Sequence, residues 1–165
     1  MMEGRQLRAL PNRENQACFG CGPTNPCGLH MKFFTDGNSV FTELKAPEHT
    51  AGWRNLVHGG VITTILDEVM GWSAIFLLKR FVLTKSISID FLKPTFVGER
   101  IRAEGSLTEV RGEREAILES SLFDAAGDLC ARGRGIFAVF APEAAVNRGI
   151  ISEEAMADLE LIFNA

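Results

Sequence analysis

Histidine and cysteine, the residues that most often carry acid–base or metal chemistry, are scarce in this chain of 165 residues. It holds His30, His49 and His58, and Cys18, Cys21, Cys27 and Cys130. The most informative local feature is His58-Gly59-Gly60, with Asp67 eight positions after Gly59 at the start of an apolar stretch. A helix start leaves several backbone N–H groups without partners, and Ser, Thr, Asp or Asn normally caps them. Here His-Gly-Gly stands at the junction instead. Two glycines allow another group to approach the backbone closely, and free N–H groups plus the helix dipole would stabilise a developing oxyanion. Asp67 lies about two turns further on, where it can share a face with the helix start. A carboxylate inside an apolar helix is costly unless it is paired or used. The residues alone leave a plainer assignment open, in which Asn55 caps the helix, His58 is an ordinary loop histidine and Asp67-Glu68 mark a solvated stripe.

The cysteines raise a separate question. Cys18-x2-Cys21-x5-Cys27-x2-His30 offers four soft or borderline ligands, formally enough for a tetrahedral zinc site. The middle spacing is tight, and an expected strand position for His30 would fix the direction of its ring. A redox or regulatory thiol and plain packing are the other readings.

The elements that must hold these residues can be read from periodicity. Residues 1–27 are polar and then rich in Gly and Pro (CFGCGPTNPCG), which predicts a looped N-terminal segment. LHMKFF and SVFTELKA, separated by Asp36-Gly37-Asn38, read as a hairpin. In VITTILDEVMGWSAIFLLKR, apolar residues recur at helical spacing and then fill the remaining sides, as in a helix buried nearly all round. Asp67 and Glu68 in its middle argue against a membrane span. FVLTKSISIDFLKP, GERIRAEGSLTEVRG, REAILESSLFDAAG and DLCARGRGIFAVF follow, period-2 stretches broken by turn residues, and are read as an antiparallel meander. The expected fold is α+β, with a curved antiparallel sheet over residues 28–141 wrapped around one long central helix. Residues 142–165 form a tail whose end, SEEAMADLELIFNA, reads as a short helix capped by Ser152, one that docks on something or frays.

Composition sets the bounds. With 46% apolar and 23% charged residues and a formal charge of -4, the chain belongs to the ordinary globular class, and nothing advertises nucleic acid as a partner. The opening MMEGRQLRALPNRENQ carries scattered charge and no apolar run of the kind a secretory leader needs, so a cytoplasmic location is expected.

VHGGVITTILDEVMG, preceded by CFGCGPTNPCGLHMKF and followed by LTKSISIDFLKPTFVGERI, resembles the PaaI-type (phenylacetate-degradation-type) branch of the hotdog-fold acyl-CoA thioesterases. The resemblance spans about residues 18–140. It implies a hotdog fold, a homodimer whose sheets join edge to edge with shared sites at the interface, a further pairing of dimers, and hydrolysis of acyl-CoA without cofactor or catalytic metal. In that likeness Asp67 is the catalytic carboxylate, acting as general base or nucleophile, and Gly59 supplies the N–H that polarises the thioester carbonyl. His58 plays a supporting role. Thr84, counted back from Pro94, is the hydroxyl that reaches in from the partner subunit, while the helix start and Asp67 come from one chain. Gly60, Asn55 and Glu68 complete the expected substrate-binding set. The pattern departs from relatives at Gly52, where some carry Asn or Gln, and at Gly71, where others carry Thr. Those departures keep a second class in play, a non-catalytic acyl-CoA-binding or sensing protein. Lys79, Arg80, Lys85, Lys93, Arg132 and Arg134 are available for the CoA phosphates, and Trp53, Trp72 and Phe76 for the acyl group.

Overall fold

A computed structural model describes residues 6–12 and 14–165; residues 1–5 and Arg13, which fall in the segment read as loop, lie outside the described residues. Seven strands form one antiparallel sheet: β1 (Arg8–Ala9), β2 (Phe33–Thr35), β3 (Ser39–Lys45), β4 (Phe81–Phe91), β5 (Arg100–Arg111), β6 (Glu115–Phe123) and β7 (Leu129–Phe140). Their spatial order is β1-β2-β3-β5-β6-β7-β4. The sheet curves around the central helix α1 (Gly59–Leu78) in the hotdog arrangement.

Helix α1 is buried because its sequence leaves it little choice. Ile62, Ile65, Leu66, Val69, Met70, Trp72 and Phe76 are all buried against the sheet, and β3 to β7 all touch it. Sheet and helix backbones meet most closely at Gly105 of β5. A Cβ there would stand 2.7 Å from both the Val69 carbonyl oxygen and Ser73 Oγ, so only glycine fits. The helix ends at Lys79, whose left-handed backbone (φ 54°) turns the chain while its N–H bonds the Ile75 carbonyl. Beyond that turn β4 runs back along the helix flank.

The position of β4 differs from a simple meander. It pairs with β7, the last strand, and lies at the sheet edge, whereas β5, β6 and β7 do run as consecutive neighbours. Residues 92–99 make the crossover, held past the helix start by Val57 N–H to Thr95 O (2.9 Å) and Val97 N–H to Asn55 O (2.8 Å). Alternating apolar residues show that each segment is a strand; they carry no information about which strands are neighbours.

Three further differences concern the N-terminal segment, the first hairpin strand and the tail. Arg8 and Ala9, inside the segment read as loop, pair with Thr35 and Phe34 and add a short edge strand. His30 is not on a strand: its φ is 50°, and the strand begins at Phe33. After β7 come the short helix α2 (Pro142–Asn147), which periodicity did not reveal, and α3 (Glu153–Phe163). Ser152 caps α3 as expected, its hydroxyl accepting from Ala155 N–H at 3.1 Å. The tail docks: α3 packs on α1 with Met156 and Ile162 buried.

Candidate active site

The helix start is capped by its own histidine. His58 has extended backbone angles, and its Nδ1 accepts from Gly60 N–H at 2.9 Å. The acceptor role places the ring proton on Nε2. Its carbonyl accepts from Val61 and Ile62 N–H (2.9 and 3.2 Å), and its own N–H bonds the Thr50 carbonyl (2.9 Å). Three of the first helical N–H groups are therefore taken. Gly59 N–H alone has no partner among the described residues, which makes it the available oxyanion donor. Gly60, expected to bind substrate, spends its N–H on the cap. Asn55 is exposed and does not cap the helix; its carbonyl ties down the crossover.

Asp67 is half-buried on α1, and Thr84 Oγ1 donates to its Oδ1 at 2.8 Å. Burial pushes the Asp67 carboxyl above its ordinary value, while the Thr84 hydrogen bond pulls the other way. Thr84 can reach because β4 bulges there: Thr84 pairs with Phe137 and Ser86 with Ile136, leaving Lys85 as the extra residue. Two expectations need correcting here. Thr84 was expected from a partner subunit, yet it meets Asp67 within one chain. Gly59 and Asp67, although on one side of the helix, cannot act on the same atom within one chain, because eight residues of α-helix separate them by about 12 Å along the axis.

Asp67, Thr84 and Glu68 line one pocket of about 240 Å³. Its apolar walls include Trp72, Val82 and Phe137, and Leu159 and Ile162 of α3 close it. Of the aromatic residues expected near the acyl group, Trp72 is in place. Trp53 is 85% exposed, and Phe76 is buried in the core beneath Lys79. The contribution of α3 went unread because an amphipathic helix shows which face it buries and not what it buries that face against.

The N-terminal loop, whose Asn12, Gln16 and Cys21 line the same pocket, brings two thiols to Glu68. Cys18 Sγ stands 3.4 Å from Glu68 Oε1, and Cys21 Sγ accepts from Gln16 Nε2 at 3.5 Å. The hydrogen bond from Cys21 holds the Cys18 thiol down to about 5, and that bond together with burial pushes Cys21 up. Burial, then the negative charge of Cys18, raises Glu68 to about 7. Cys27 is exposed and, like His30, stands outside this group. Of the cations available for CoA, Lys85, Lys93, Arg132 and Arg134 already face carboxylates in ion pairs.

Comparison with known proteins agrees with this geometry. Residues 54–114, from the helix start through β5, match the model of the thioesterase superfamily. No curated protein matches the sequence. Among solved structures, the chain is similar to protein RHA08564, a thioesterase superfamily protein, at 28% identity and a TM-score of 0.64. That match covers 71% of this chain and 57% of that one, so the chain spans little more than half of that protein's length. It also shares its fold with the PaaI protein of the E. coli phenylacetic acid degradation operon, at 16% identity and a TM-score of 0.61 over 68% of this chain and 81% of that one. A hypothetical thioesterase from Streptococcus pneumoniae TIGR4, solved with coenzyme A, has the same fold at 17% identity and a TM-score of 0.59 over 64% and 80%. A curved sheet wrapped around one central helix is the fold these structures share with the chain, and residues 54–114 are similar to the thioesterase superfamily.

Proposed function

We propose that the protein is a PaaI-type acyl-CoA thioesterase that releases CoA and a small free acid, with Asp67 as general base. The observation that carries this reading is the half-buried Asp67, held by Thr84 and opening on a mostly apolar pocket. Thr84 occupies one carboxylate oxygen and leaves the other for a water. Burial makes the carboxylate a stronger base than a free Asp. A thioester is already activated and its thiolate leaves readily, so a base and one oxyanion donor suffice.

That donor cannot be the Gly59 of the same chain, which is about 12 Å away. It is Gly59 of the partner subunit, placed by two copies joining along β4, so that each site takes Asp67 and Thr84 from one chain and the helix start from the other. The unpaired edge of β4, with Leu83, Phe91 and Leu92 exposed along and just beyond it, supports a homodimer, since a long apolar edge strand is rarely left uncovered. The site of action in this reading is the cytoplasm.

The lining points to the acyl class. Trp72, Val82, Phe137, Leu159 and Ile162 around Asp67 suit an aryl or short to medium acyl group. Thiol release from phenylacetyl-, benzoyl-, hexanoyl- and palmitoyl-CoA tests the proposal. The first three are expected to turn over and palmitoyl-CoA is not, and Asp67→Asn is expected to lose at least about 100-fold in kcat with its fold intact. Near-wild-type turnover in Asp67→Asn overturns the assignment. Tight binding of every acyl-CoA without thiol release would identify a binding module instead.

A further inference from the structure

We propose that Cys18, Cys21 and Glu68 form a binding site for a soft divalent transition-metal cation, Zn2+ foremost, which fastens the N-terminal loop to α1 beside the Asp67 pocket. The two thiol sulfurs and a carboxylate oxygen lie within 4.8 Å of one another, the one such trio of His, Cys, Asp or Glu ligands among the described residues. Around a tetrahedral Zn2+, sulfur and oxygen ligands sit about 3.5 to 3.8 Å apart. Cys18 Sγ to Glu68 Oε1, at 3.4 Å, is already there, so closing on a metal asks only for a small shift of side chains.

The backbone is shaped for this purpose. Gly22 N–H bonds the Cys18 carbonyl at 2.9 Å and closes a tight Cys-x-x-Cys-Gly turn. Gly20 and Gly22 are both required. A Cβ on Gly22 would stand 2.3 Å from Cys18 N, and one on Gly20 would stand 2.3 Å from Glu68 Cγ. The first keeps the turn tight and the second lets the carboxylate reach it.

Outer partners fix the ligands. Asn12 Nδ2 donates to the Cys21 carbonyl at 2.8 Å, and Gln16 Nε2 bridges Asn12 Oδ1 (3.0 Å) and Cys21 Sγ (3.5 Å). Glu68, by contrast, has no Lys, Arg or His partner among the described residues. A half-buried carboxylate beside two thiols is the kind of charge that proteins pair or give to a metal. Two thiolates and a carboxylate around a divalent ion leave a single net negative charge and one coordination position for water. Cys-x-x-Cys spacing alone pointed to Cys27 and His30 as the remaining ligands, whereas the fold supplies Glu68 from fifty residues away.

The inference stands on the turn and Glu68 and does not depend on thioester hydrolysis, so its test reads metal and not turnover. The full chain, with every thiol reduced, is dialysed against Zn2+ and then against metal-free buffer, and zinc is counted per chain. About one per wild-type chain is expected, and less than about a tenth in the Cys18→Ser, Cys21→Ser double variant. Replacing Zn2+ with Co2+ is expected to give a thiolate-to-metal charge-transfer band. That band should survive in Glu68→Gln while the visible ligand-field bands shift. The cobalt spectra of wild type and Glu68→Gln decide the matter even if the double variant fails to fold. Wild-type zinc below about a tenth per chain overturns the proposal. So does a cobalt spectrum without thiolate character, or a Cys18–Cys21 disulfide that forms despite added Zn2+.

Discussion

Thr84 is the residue whose role is easiest to isolate. It touches Asp67 through one hydroxyl, from a strand whose other side chains do not need that hydroxyl to pack. A hydrogen bond to a charged group is worth about 1.5 to 3 kcal/mol. Thr84→Val keeps the shape and removes the donor, so kcat is expected to fall at least about tenfold with KM nearly unchanged, measured on whichever acyl-CoA turns over best. Gly59 and Asp67 stood out in the sequence as a glycine helix start and a carboxylate in an apolar helix, whereas Thr84 entered only through the family resemblance, counted back from Pro94. That Thr84 reaches Asp67 from its own chain could not be read there, since spacing says nothing about which copy supplies a residue. The distance between Gly59 and Asp67 was implicit all along in the helical rise. His58 as a cap was unreadable for another reason: Ser, Thr, Asp and Asn dominate that position, and a histidine there looks like chemistry.

Among the elements, α1 shows the clearest compromise. Gly71 sits in the helix interior, where glycine costs roughly 0.5 to 1 kcal/mol relative to alanine. A Cβ there would meet Phe137 Cε1 at 4.0 Å, an ordinary contact, and Gly71 lines the pocket. Gly71→Ala is therefore expected to raise Tm while lowering kcat/KM for the largest acyl group accepted more than for the smallest. The turn between β6 and β7 makes a second case. Asp124 accepts from Ala126 and Asp128 N–H (both 2.9 Å) and from Lys93 Nζ at 2.7 Å, and the Lys93 bond in first place holds its carboxyl below the usual carboxylate range. A depressed folded-state value stabilises the fold above the unfolded value, about 3.9, and the benefit is lost as pH falls through the folded value. Asp124→Asn should melt below wild type at neutral pH, and the two curves should converge as pH falls below the folded-state value of Asp124. The strands themselves were legible from alternation, and α1 from its apolar density. The crossover that sends β4 to the far edge was not, because local pattern does not encode which strands are neighbours.

For the whole molecule, the distance between Gly59 and Asp67 makes the proposed activity a property of two chains. Specific activity per chain is expected to fall on dilution in parallel with the weight-average mass in sedimentation equilibrium; activity that persists in monomer would require an oxyanion donor other than Gly59. The sequence hinted at such an arrangement through its family likeness, while the exposed β4 edge gives the physical reason for it.

The pocket also has a history along the chain. Asn12, Gln16 and Cys21 stand on one side of it and Leu159 and Ile162 on another, so its walls come from opposite ends of the sequence with nearly the whole sheet between them. Bringing such distant segments together incurs the largest loop-closure cost in the molecule, and the sheet and α1 must already exist as the surface on which they dock. The pocket therefore depends on both segments being docked, and loosening either one opens it without disturbing the sheet.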